Sequence, residues 1–509
     1  MTPSNSDDDA SDIPTIVDDD VASPLPDRPI DSAASSSRDE EELSLRIVLV
    51  DGSAARSHPL PPGVAGTELA VPARLRRRGL SAVVNHLLGR RTGDDEESGD
   101  LDRPPALPFD FLVGGRFLRT SLEAALRALP LEAAETVTDV TYVPLHVRPE
   151  GGVEGNPHPD WIGCLASTSL SGIGGVVVSG CYDGSVRLLS GVTLETLAVT
   201  LRNSAPVKCV AIAPGVVAAG GMDHGLATYR IVAGKGGEIR LDSDPLQYRG
   251  EAGQRHTGTI TALALEDNLM ASADHAGDIL LWKLDGSARE AAPPPRPKRP
   301  RPASTSSKIA TVFPLASRAG AHGGAVFGLV LSSPTRLLSA GSDRTVRSWD
   351  LRRLGDGDVD PATTLGGKRA VTCLAACQGN GIGDVVATGH PDCTVRLWDL
   401  RAPGRGGKEG AMTVADALRP SHRAYVSSVD WSPLRPHVLA STSHDGTTKV
   451  WDVRSPLPLH TLRPASDVDG GREPIRGLTV AFGSPGTEGG NVGLYWGGTD
   501  CVVRRYMCA

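Results

Sequence analysis

A short motif that recurs along the second half of the chain limits its fold more than any other feature. The clearest copies occupy 339–350, 387–399 and 441–452, and each places an aspartate six residues before a Trp-Asp pair. Weaker copies bring the number to seven, at intervals of 40 to 69 residues. Their aspartate and tryptophan positions are Asp183, Asp223, Asp274, Trp282, Asp343, Trp349, Asp392, Trp398, Asp445, Trp451 and Asp500. Periods of this length predict an array of similar supersecondary units that pack against one another.

The motif is the signature of the WD repeat, in which the aspartate lies in a tight turn and the tryptophan packs the third of four strands against the next unit. Three copies also have a histidine upstream of the turn, at His256, His322 and His422. Because no four-stranded unit buries both its faces alone, we predict that 158–509 closes into a seven-bladed β-propeller. The seventh copy stops after its third strand, so 144–157 is predicted to be a linker that also supplies the missing strand.

The segment 44–143 has the pattern of a second, smaller domain. Alternating apolar residues from 43 to 49 predict a strand with one buried face. A helix is predicted to begin at the N-cap Ser81 and to end at Gly89, and Gly114-Gly115 predicts a β-hairpin between two apolar runs. A short helix over 121–129 and a strand over 137–143 follow. This order of elements matches a ubiquitin-like β-grasp domain, so the predicted fold class is mostly β.

Charged segments lie outside these two domains or interrupt them. The first 43 residues carry thirteen Asp or Glu against two Arg, a net charge of −11 in a chain whose total is −8, which predicts a disordered acidic tail. A second acidic stretch at 94–102 predicts a loop within the smaller domain. A Pro-rich insertion at about 286–318 contains the basic residues Arg296, Lys298, Arg299 and Arg301. That cluster is predicted to be a nuclear import signal, and the alternative interpretation is a solvated Pro-rich loop.

Several classes of function are disfavoured. The chain has no nucleophile elbow, Gly-rich phosphate loop or His-Glu-x-x-His motif, so we expect a non-enzymatic protein without a cofactor. No apolar run approaches the ~18 residues that span a bilayer, which argues against an integral membrane protein, and no membrane partner is expected. Aromatic residues make up only 4% of the chain, so stacking platforms for RNA are scarce. The arginine-rich run at 74–78 leaves open a contact with RNA phosphates or, alternatively, an exposed basic turn.

Two stretches of the smaller domain, 75–89 and 108–122, together with Asp160-Trp161 before the first repeat, carry a resemblance to a known family. A ubiquitin-like domain followed by seven WD repeats resembles the ribosome-biogenesis family of WD repeat-containing protein 12, whose yeast counterpart is named for microtubule-interacting protein. The resemblance implies a scaffold that binds Pescadillo-type and Bop-type proteins on a pre-ribosomal particle. It further implies that this assembly promotes rRNA processing and large ribosomal subunit assembly in the nucleolus and nucleoplasm.

The resemblance also implies that the ubiquitin-like domain docks on Midasin, a giant AAA ATPase that removes the assembly from the pre-ribosome. In this family an acidic residue just before the last β-grasp strand completes the coordination of a Mg²⁺ ion held by Midasin. Alignment of 140–142 with that strand places the residue at Glu135, and Glu132 is a rival three residues earlier. One carboxylate supplied in trans suits Mg²⁺, which prefers octahedral oxygen coordination.

A second functional class remains open. Arg352, Arg401 and Arg454 each end a Trp-Asp-x-Arg unit, as in the substrate receptors of cullin-RING ubiquitin ligases. The motif is weakly specific, because an arginine that follows the third strand is common in WD repeats. Proteins that co-purify with the chain would discriminate between the two classes.

Overall fold

The alternating apolar residues at the start of the smaller domain form the first strand of a mixed five-stranded sheet. In chain order its elements are β1 (Ser44–Asp51), β2 (Glu68–Pro72), α1 (Arg77–Leu87), β3 (Phe109–Val113), β4 (Arg116–Phe117), α2 (Leu122–Arg127) and β5 (Thr138–Pro144). The sheet order is β2-β1-β5-β3-β4, and β1 runs parallel to β5 while its other pairs are antiparallel. This is the β-grasp topology that the sequence predicts.

The computed structural model describes residues 44–51, 59–61, 66–90, 104–127, 138–145, 149–201, 205–234, 238–243, 247–248, 255–284, 311–312, 314–354, 360–377, 384–401, 421–455, 457–464, 475–483 and 492–508. The acidic tail at 1–43 and the acidic loop at 94–102 lie outside these ranges. In the smaller domain, Leu80 and Val84 of α1 are fully buried against Ile47 and Phe111 of the sheet. The hairpin turn has φ of 56° at Gly114 and 78° at Gly115, the left-handed conformation that a two-residue hairpin requires.

The first helix begins one turn earlier than predicted. It starts at Arg77, and Ser81 lies within it rather than at its N-cap. The Ser81 hydroxyl accepts a hydrogen bond from the Phe109 backbone N–H at 3.1 Å, which ties α1 to β3. Leu80 packs into the core one residue before the predicted cap, and its burial outweighs the local capping preference of a serine. Gly89 follows the helix with φ of 66°, which confirms the predicted helix end.

Among the described residues, the second domain has seven sheets of antiparallel strands and one small two-stranded parallel sheet, and a strand that precedes them returns to the last of the seven. The strands are β6 (Glu150–Glu154), β7 (Ile162–Leu170), β8 (Gly174–Cys181), β9 (Ser185–Ser190), β10 (Thr196–Leu201), β11 (Val207–Ala213), β12 (Val216–Gly221), β13 (Leu226–Ala233), β14 (Ile239–Ser243), β15 (Gln247–Tyr248), β16 (Ile260–Glu266), β17 (Leu269–Asp274), β18 (Ile279–Lys283), β19 (Thr311–Val312), β20 (Ala316–Arg318), β21 (Val326–Ser333), β22 (Arg336–Gly341), β23 (Thr345–Asp350), β24 (Thr363–Gly366), β25 (Cys373–Ala376), β26 (Val385–Gly389), β27 (Val395–Asp399), β28 (Val426–Trp431), β29 (Val438–Ser443), β30 (Thr448–Asp452), β31 (His460–Leu462), β32 (Gly477–Phe482), β33 (Val492–Gly498) and β34 (Arg504–Cys508).

The first strands of the seven blades form a closed ring. Each of β7, β11, β16, β21, β25, β28 and β32 contacts the next, and β32 contacts β7. Side chains reinforce these inter-blade contacts: the Thr372 hydroxyl donates to the Val426 carbonyl oxygen at 2.6 Å, and the Leu165 N–H donates to the Thr479 hydroxyl at 3.1 Å. The second bond joins the first blade to the last. The observed architecture is therefore the predicted seven-bladed propeller.

The seventh blade takes its outer strand from the segment between the two domains. β6 pairs antiparallel with β34, in the sheet order β32-β33-β34-β6. Glu154 of β6 accepts a hydrogen bond from the Arg504 guanidinium at 2.8 Å. The strand expected within 144–157 thus lies at 150–154, and it joins residues about 350 positions apart in the chain.

The C-terminal end of the insertion predicted at 286–318 overlaps the third blade. β20, at its C-terminal end, pairs antiparallel with β18 and forms the outer strand of the third blade. The predicted boundary of the insertion is therefore several residues too late. The basic residues Arg296, Lys298, Arg299 and Arg301 lie outside the described residues.

Candidate interaction surfaces

In the fourth blade the repeat motif forms a chain of hydrogen bonds. The His322 Nδ1 lies 3.0 Å from the Asp343 carboxylate, and its Nε2 lies 2.6 Å from the Ser339 hydroxyl. The Trp349 indole N–H donates to the same hydroxyl at 2.8 Å. Asp343 also accepts the backbone N–H of Thr345 at 3.1 Å, which fixes the turn. All four motif side chains are therefore engaged with one another.

The sixth blade repeats this arrangement. The His422 Nδ1 lies 3.1 Å from Asp445, its Nε2 lies 2.7 Å from the Ser441 hydroxyl, and the Trp451 indole N–H donates to that hydroxyl at 2.8 Å. The same geometry in two blades indicates a structural unit rather than a single reactive centre.

The third blade reaches the same contacts from a shifted position. Asp274 is the last residue of β17, rather than a residue of the following turn. Its carboxylate accepts the backbone N–H groups of Ala276 and Asp278, both at 3.0 Å, and lies 3.1 Å from the His256 Nδ1. The Trp282 indole N–H donates to the Ser272 hydroxyl at 2.8 Å, as in the other blades. The predicted turn aspartate of this blade is thus displaced by two residues, but it has the same role.

Two further histidines belong to these networks although sequence analysis did not identify them. His390 directly follows β26; its Nε2 lies 2.8 Å from the Thr388 hydroxyl, which accepts the Trp398 indole N–H at 2.7 Å. His158 precedes the first blade, and its Nε2 lies 2.8 Å from the Ser179 hydroxyl. For His390 a signal was present, since the residue stands two positions before the turn aspartate Asp392.

The remaining turn aspartates are held by other partners. Asp392 and Asp500 each pair with the arginine four residues later, Arg396 and Arg504. Asp183 accepts the Ser185 backbone N–H at 2.8 Å. Asp223, in the second blade, accepts the Gly225 N–H at 3.3 Å and is exposed.

The electrostatics of these networks favour fixed protonation states. Burial alone would raise the pKa of Asp343, but the hydrogen bonds from His322 and Thr345 and the charge interaction with His322 together outweigh it, and the pKa lies well below its usual range. Burial, and secondarily a neighbouring arginine, lowers the pKa of His158 and of His390 to about 4. These histidines are neutral at pH 7, and the networks act as scaffold elements.

The seven first strands surround a central channel of about 1190 Å³. Aromatic side chains line its mouth on the face that carries the turns between second and third strands. The ring centres of Trp161 and Tyr182 are 5.7 Å apart, and those of Tyr425 and His444 are stacked at 4.9 Å. Within the described residues there is no cluster of three or more His, Cys, Asp or Glu side chains suited to a metal ion. Nor does any helix in those ranges combine the length and apolar character needed to span a membrane.

The two domains contact each other through the hairpin of the smaller one. The Phe117 N–H donates to the Arg454 carbonyl oxygen at 3.3 Å, and the Arg454 guanidinium lies 5.3 Å from the centre of the Phe117 ring. The Arg119 guanidinium lies 4.9 Å from the same ring and donates to the Ser455 hydroxyl at 3.4 Å. Arg119 also lies 3.8 Å from the buried Asp110 carboxylate. Phe117 is thus held between an arginine of its own domain and one of the sixth blade.

This contact distinguishes the three Trp-Asp-x-Arg units. The Arg454 side chain is 20% exposed and packs on Phe117, whereas the Arg401 side chain is 60% exposed and bonds only its own Asp399 among the described residues. Arg352 is likewise exposed. The smaller domain therefore covers one of the three arginines of the Trp-Asp-x-Arg units.

The predicted Midasin ligand lies outside the described residues, as does its rival. Glu132 and Glu135 precede β5, whose first residue, Thr138, pairs with Ile47 of β1. Of the arginine-rich run, Arg77 lies in α1 and forms an ion pair with Asp110 at 3.2 Å. At least one arginine of that run therefore has a structural partner.

Comparison with known proteins agrees with both domains. The NLE (NUC135) domain family matches residues 56–126, and the WD domain, G-beta repeat family matches 314–350, 360–399 and 417–452. The chain is 33% identical over 463 residues to the ribosome biogenesis protein WDR12 homologue of Chlamydomonas reinhardtii, an alignment that covers 87% of this chain and 94% of the relative. The chain belongs to the WDR12/YTM1 family of ribosome biogenesis proteins.

Other members of this family align over similar lengths. The WDR12 homologue of Oryza sativa subsp. japonica is 28% identical over 428 residues, covering 80% of this chain and 88% of the relative. The ribosome biogenesis protein YTM1 of Candida albicans is 29% identical over 430 residues, covering 78% and 86%. Membership of the WDR12/YTM1 family supports a role of this chain in ribosome assembly and confirms the resemblance seen in the sequence.

Proposed function

We propose that this chain is a non-enzymatic scaffold of a Pescadillo–Bop-type complex required for large ribosomal subunit assembly and rRNA maturation. The observation that carries the proposal is the alignment with a ribosome biogenesis protein across both domains. The repeat networks support it, because His322 and His422 bond aspartates and His390 bonds a threonine hydroxyl, and none of these three histidines lines the central channel. A rigid ring with broad faces suits a platform that binds several proteins at once.

In this proposal the smaller domain docks on Midasin through Glu135, with Glu132 as the rival ligand. Both glutamates precede β5, an internal strand of the sheet that pairs with β1 on one side and β3 on the other. A force applied to the chain just before β5 would be transmitted to the rest of the sheet through the hydrogen bonds of β5 with β1 and β3. The Phe117–Arg454 contact offers a route by which that force reaches the propeller. We propose that the complex acts in the nucleolus and nucleoplasm and that the basic cluster at 296–301 serves as the nuclear import signal of this chain.

Affinity purification of the tagged full-length chain, followed by mass spectrometry, tests the scaffold. We expect Pescadillo-type and Bop-type proteins together with large-subunit ribosomal proteins. Recovery of a cullin and its propeller adaptor in their place would contradict the proposal and support a ubiquitin-ligase receptor.

A matched pair of variants tests the Midasin ligand. Glu135→Ala should abolish co-purification of Midasin and leave the Bop-type protein bound, whereas Glu132→Ala should retain both. Loss of Midasin from Glu132→Ala, with Midasin retained by Glu135→Ala, would identify Glu132 as the ligand. Retention of Midasin in both variants would refute docking through either glutamate.

A further inference from the structure

One tryptophan differs from all the others in the chain. Six of the seven tryptophans are at most 5% exposed, but Trp161, at the channel mouth, is 47% exposed. Keeping about half of a large aromatic side chain in water forgoes part of its burial free energy. Exposed tryptophans are also enriched among the residues that dominate protein–protein binding. The mouth of the channel is therefore a candidate binding site for a ligand that the proposed function does not assign.

The aromatic group at Trp161 is held in a defined position. Tyr182 lies against the backbone of Gly163, where an added Cβ would come within 2.9 Å of the tyrosine ring. The Lys208 ammonium lies 4.7 Å from the centre of the same ring and donates to the Tyr182 hydroxyl. Trp161, Tyr182 and Lys208 thus form a preorganised platform that joins the first and second blades, and we call it the mouth platform.

Among the described residues, the charged side chains that line the channel sum to +1, from Lys208, Arg476 and Arg504 against Glu154 and Asp500. Lys208 and Arg476 both line the channel mouth, and among the described residues neither forms an ion pair with a carboxylate. The carboxylates that line the same space, Glu154 and Asp500, are both bound by Arg504. The positive charge of Arg476 also acts inside the mouth, because after burial it is the second cause that lowers the pKa of His444. A ligand at this site should therefore be anionic.

We propose that the channel mouth binds an acidic peptide segment of a partner protein, with an apolar side chain on Trp161 and carboxylates toward Lys208 and Arg476. This inference rests on the proposed scaffold function and specifies the chemistry of one partner. A peptide is favoured over RNA because an RNA strand gains affinity by neutralising many phosphates, and among the described residues of the mouth only Lys208 and Arg476 are cations without an ion pair. An acidic peptide needs few charges when an aromatic anchor fills a concave site.

Selection of a random 12-residue peptide library displayed on phage against the immobilised full-length chain tests the proposal. Enriched peptides should carry an excess of Asp and Glu with an aromatic or aliphatic residue. By fluorescence anisotropy, Trp161→Ala and Lys208→Glu should each weaken their binding at least tenfold. Arg476→Glu provides a second charge reversal if Lys208→Glu fails to fold.

Two surface variants away from the mouth serve as controls. Val199→Ala changes an exposed apolar residue of an outer strand, and Arg353→Glu reverses an exposed charge on the opposite face; both should bind the peptides within about twofold of wild type. Failure to enrich peptides, enrichment of basic ones, or equal binding by the mouth variants would overturn the proposal. So would tighter binding of a 12-nucleotide uridine RNA that the same mouth variants abolish. None of these outcomes alters the purification result, so failure here is distinguishable from failure of the scaffold function.

Discussion

The guanidinium group of Arg454 in the sixth blade lies 5.3 Å from the centre of the Phe117 ring in the ubiquitin-like domain. Arg119 lies over the same ring at 4.9 Å, so the phenyl group is held by two cations from different domains. The Phe117 backbone N–H also donates a hydrogen bond of 3.3 Å to the Arg454 carbonyl oxygen, which fixes the relative orientation of the two segments. The two domains of this WDR12/YTM1 family member are therefore coupled by a small but specific junction.

Replacing Phe117 with leucine should loosen this junction. The Phe117→Leu variant keeps apolar packing against Leu112 and Val143 but removes the aromatic face that attracts both guanidinium groups. A cation–π contact contributes about 0.5–2 kcal/mol, so amide hydrogen exchange at 116–119 should rise roughly two- to thirtyfold.

The control for this experiment is Arg401→Ala. Arg401 bonds its own Asp399 as Arg454 bonds Asp452, but it has no described contact with the ubiquitin-like domain. Its removal should leave exchange at 116–119 unchanged. Equal exchange in wild type and Phe117→Leu would show that the junction does not restrain the hairpin.

Acid should destabilise the propeller through His390. Its pKa is lowered to about 4, mainly by burial, against about 6.5 in an unfolded chain. The unfolded state therefore binds more protons between these values, so stability is complete above pH 6.5 and is lost as pH falls toward 4. Between pH 7 and pH 5 the free energy of unfolding, measured by urea denaturation, should fall by about 2 kcal/mol less in His390→Gln than in wild type. An unchanged pH dependence in His390→Gln would contradict this assignment.

Asp430 should act in the opposite direction. Burial raises its pKa to about 6, although it accepts the N–H groups of Phe482 and Trp431 at 2.6 and 2.9 Å. The folded state therefore binds the extra proton, and this contribution is present below about pH 4 and lost as pH rises through 6. Asp430→Asn should make acid destabilisation steeper, by about 2 kcal/mol between pH 7 and pH 4. A shallower dependence would show that Asp430 is ionised in the folded protein.

Removal of Arg504 should destabilise the seventh blade. Arg504 binds Glu154 of β6 and Asp500, and its guanidinium lies 5.0 Å from the centre of the Trp496 ring. Arg504→Ala leaves a largely buried carboxylate without its cation, which costs about 3–5 kcal/mol in the free energy of unfolding. Arg240→Ala, which breaks an exposed pair with Glu238, should cost less than about 1 kcal/mol in the same denaturant titration. Similar values for the two variants would mean that β6 does not depend on this ion pair.

The sequence predicts the repeat count and both domain types because periodic apolar residues and turn aspartates are local signals. It places the start of α1 wrongly, since burial of Leu80 is a tertiary effect that a plausible N-cap at Ser81 does not reveal. Asp274 lies two residues from its expected turn position because the carboxylate needs only to reach His256. The Phe117–Arg454 junction and the exposure of Trp161 depend on residues far apart in the chain, and no local pattern encodes them.

Sedimentation of the tagged wild-type chain and of Glu135→Ala through a sucrose gradient, from cells that express each at equal level, tests the central claim most directly. The account predicts that wild type divides between light fractions and the fractions of large-subunit precursors, and that Glu135→Ala accumulates with the precursors because Midasin no longer releases it. Absence of the wild-type chain from the precursor fractions would contradict the account.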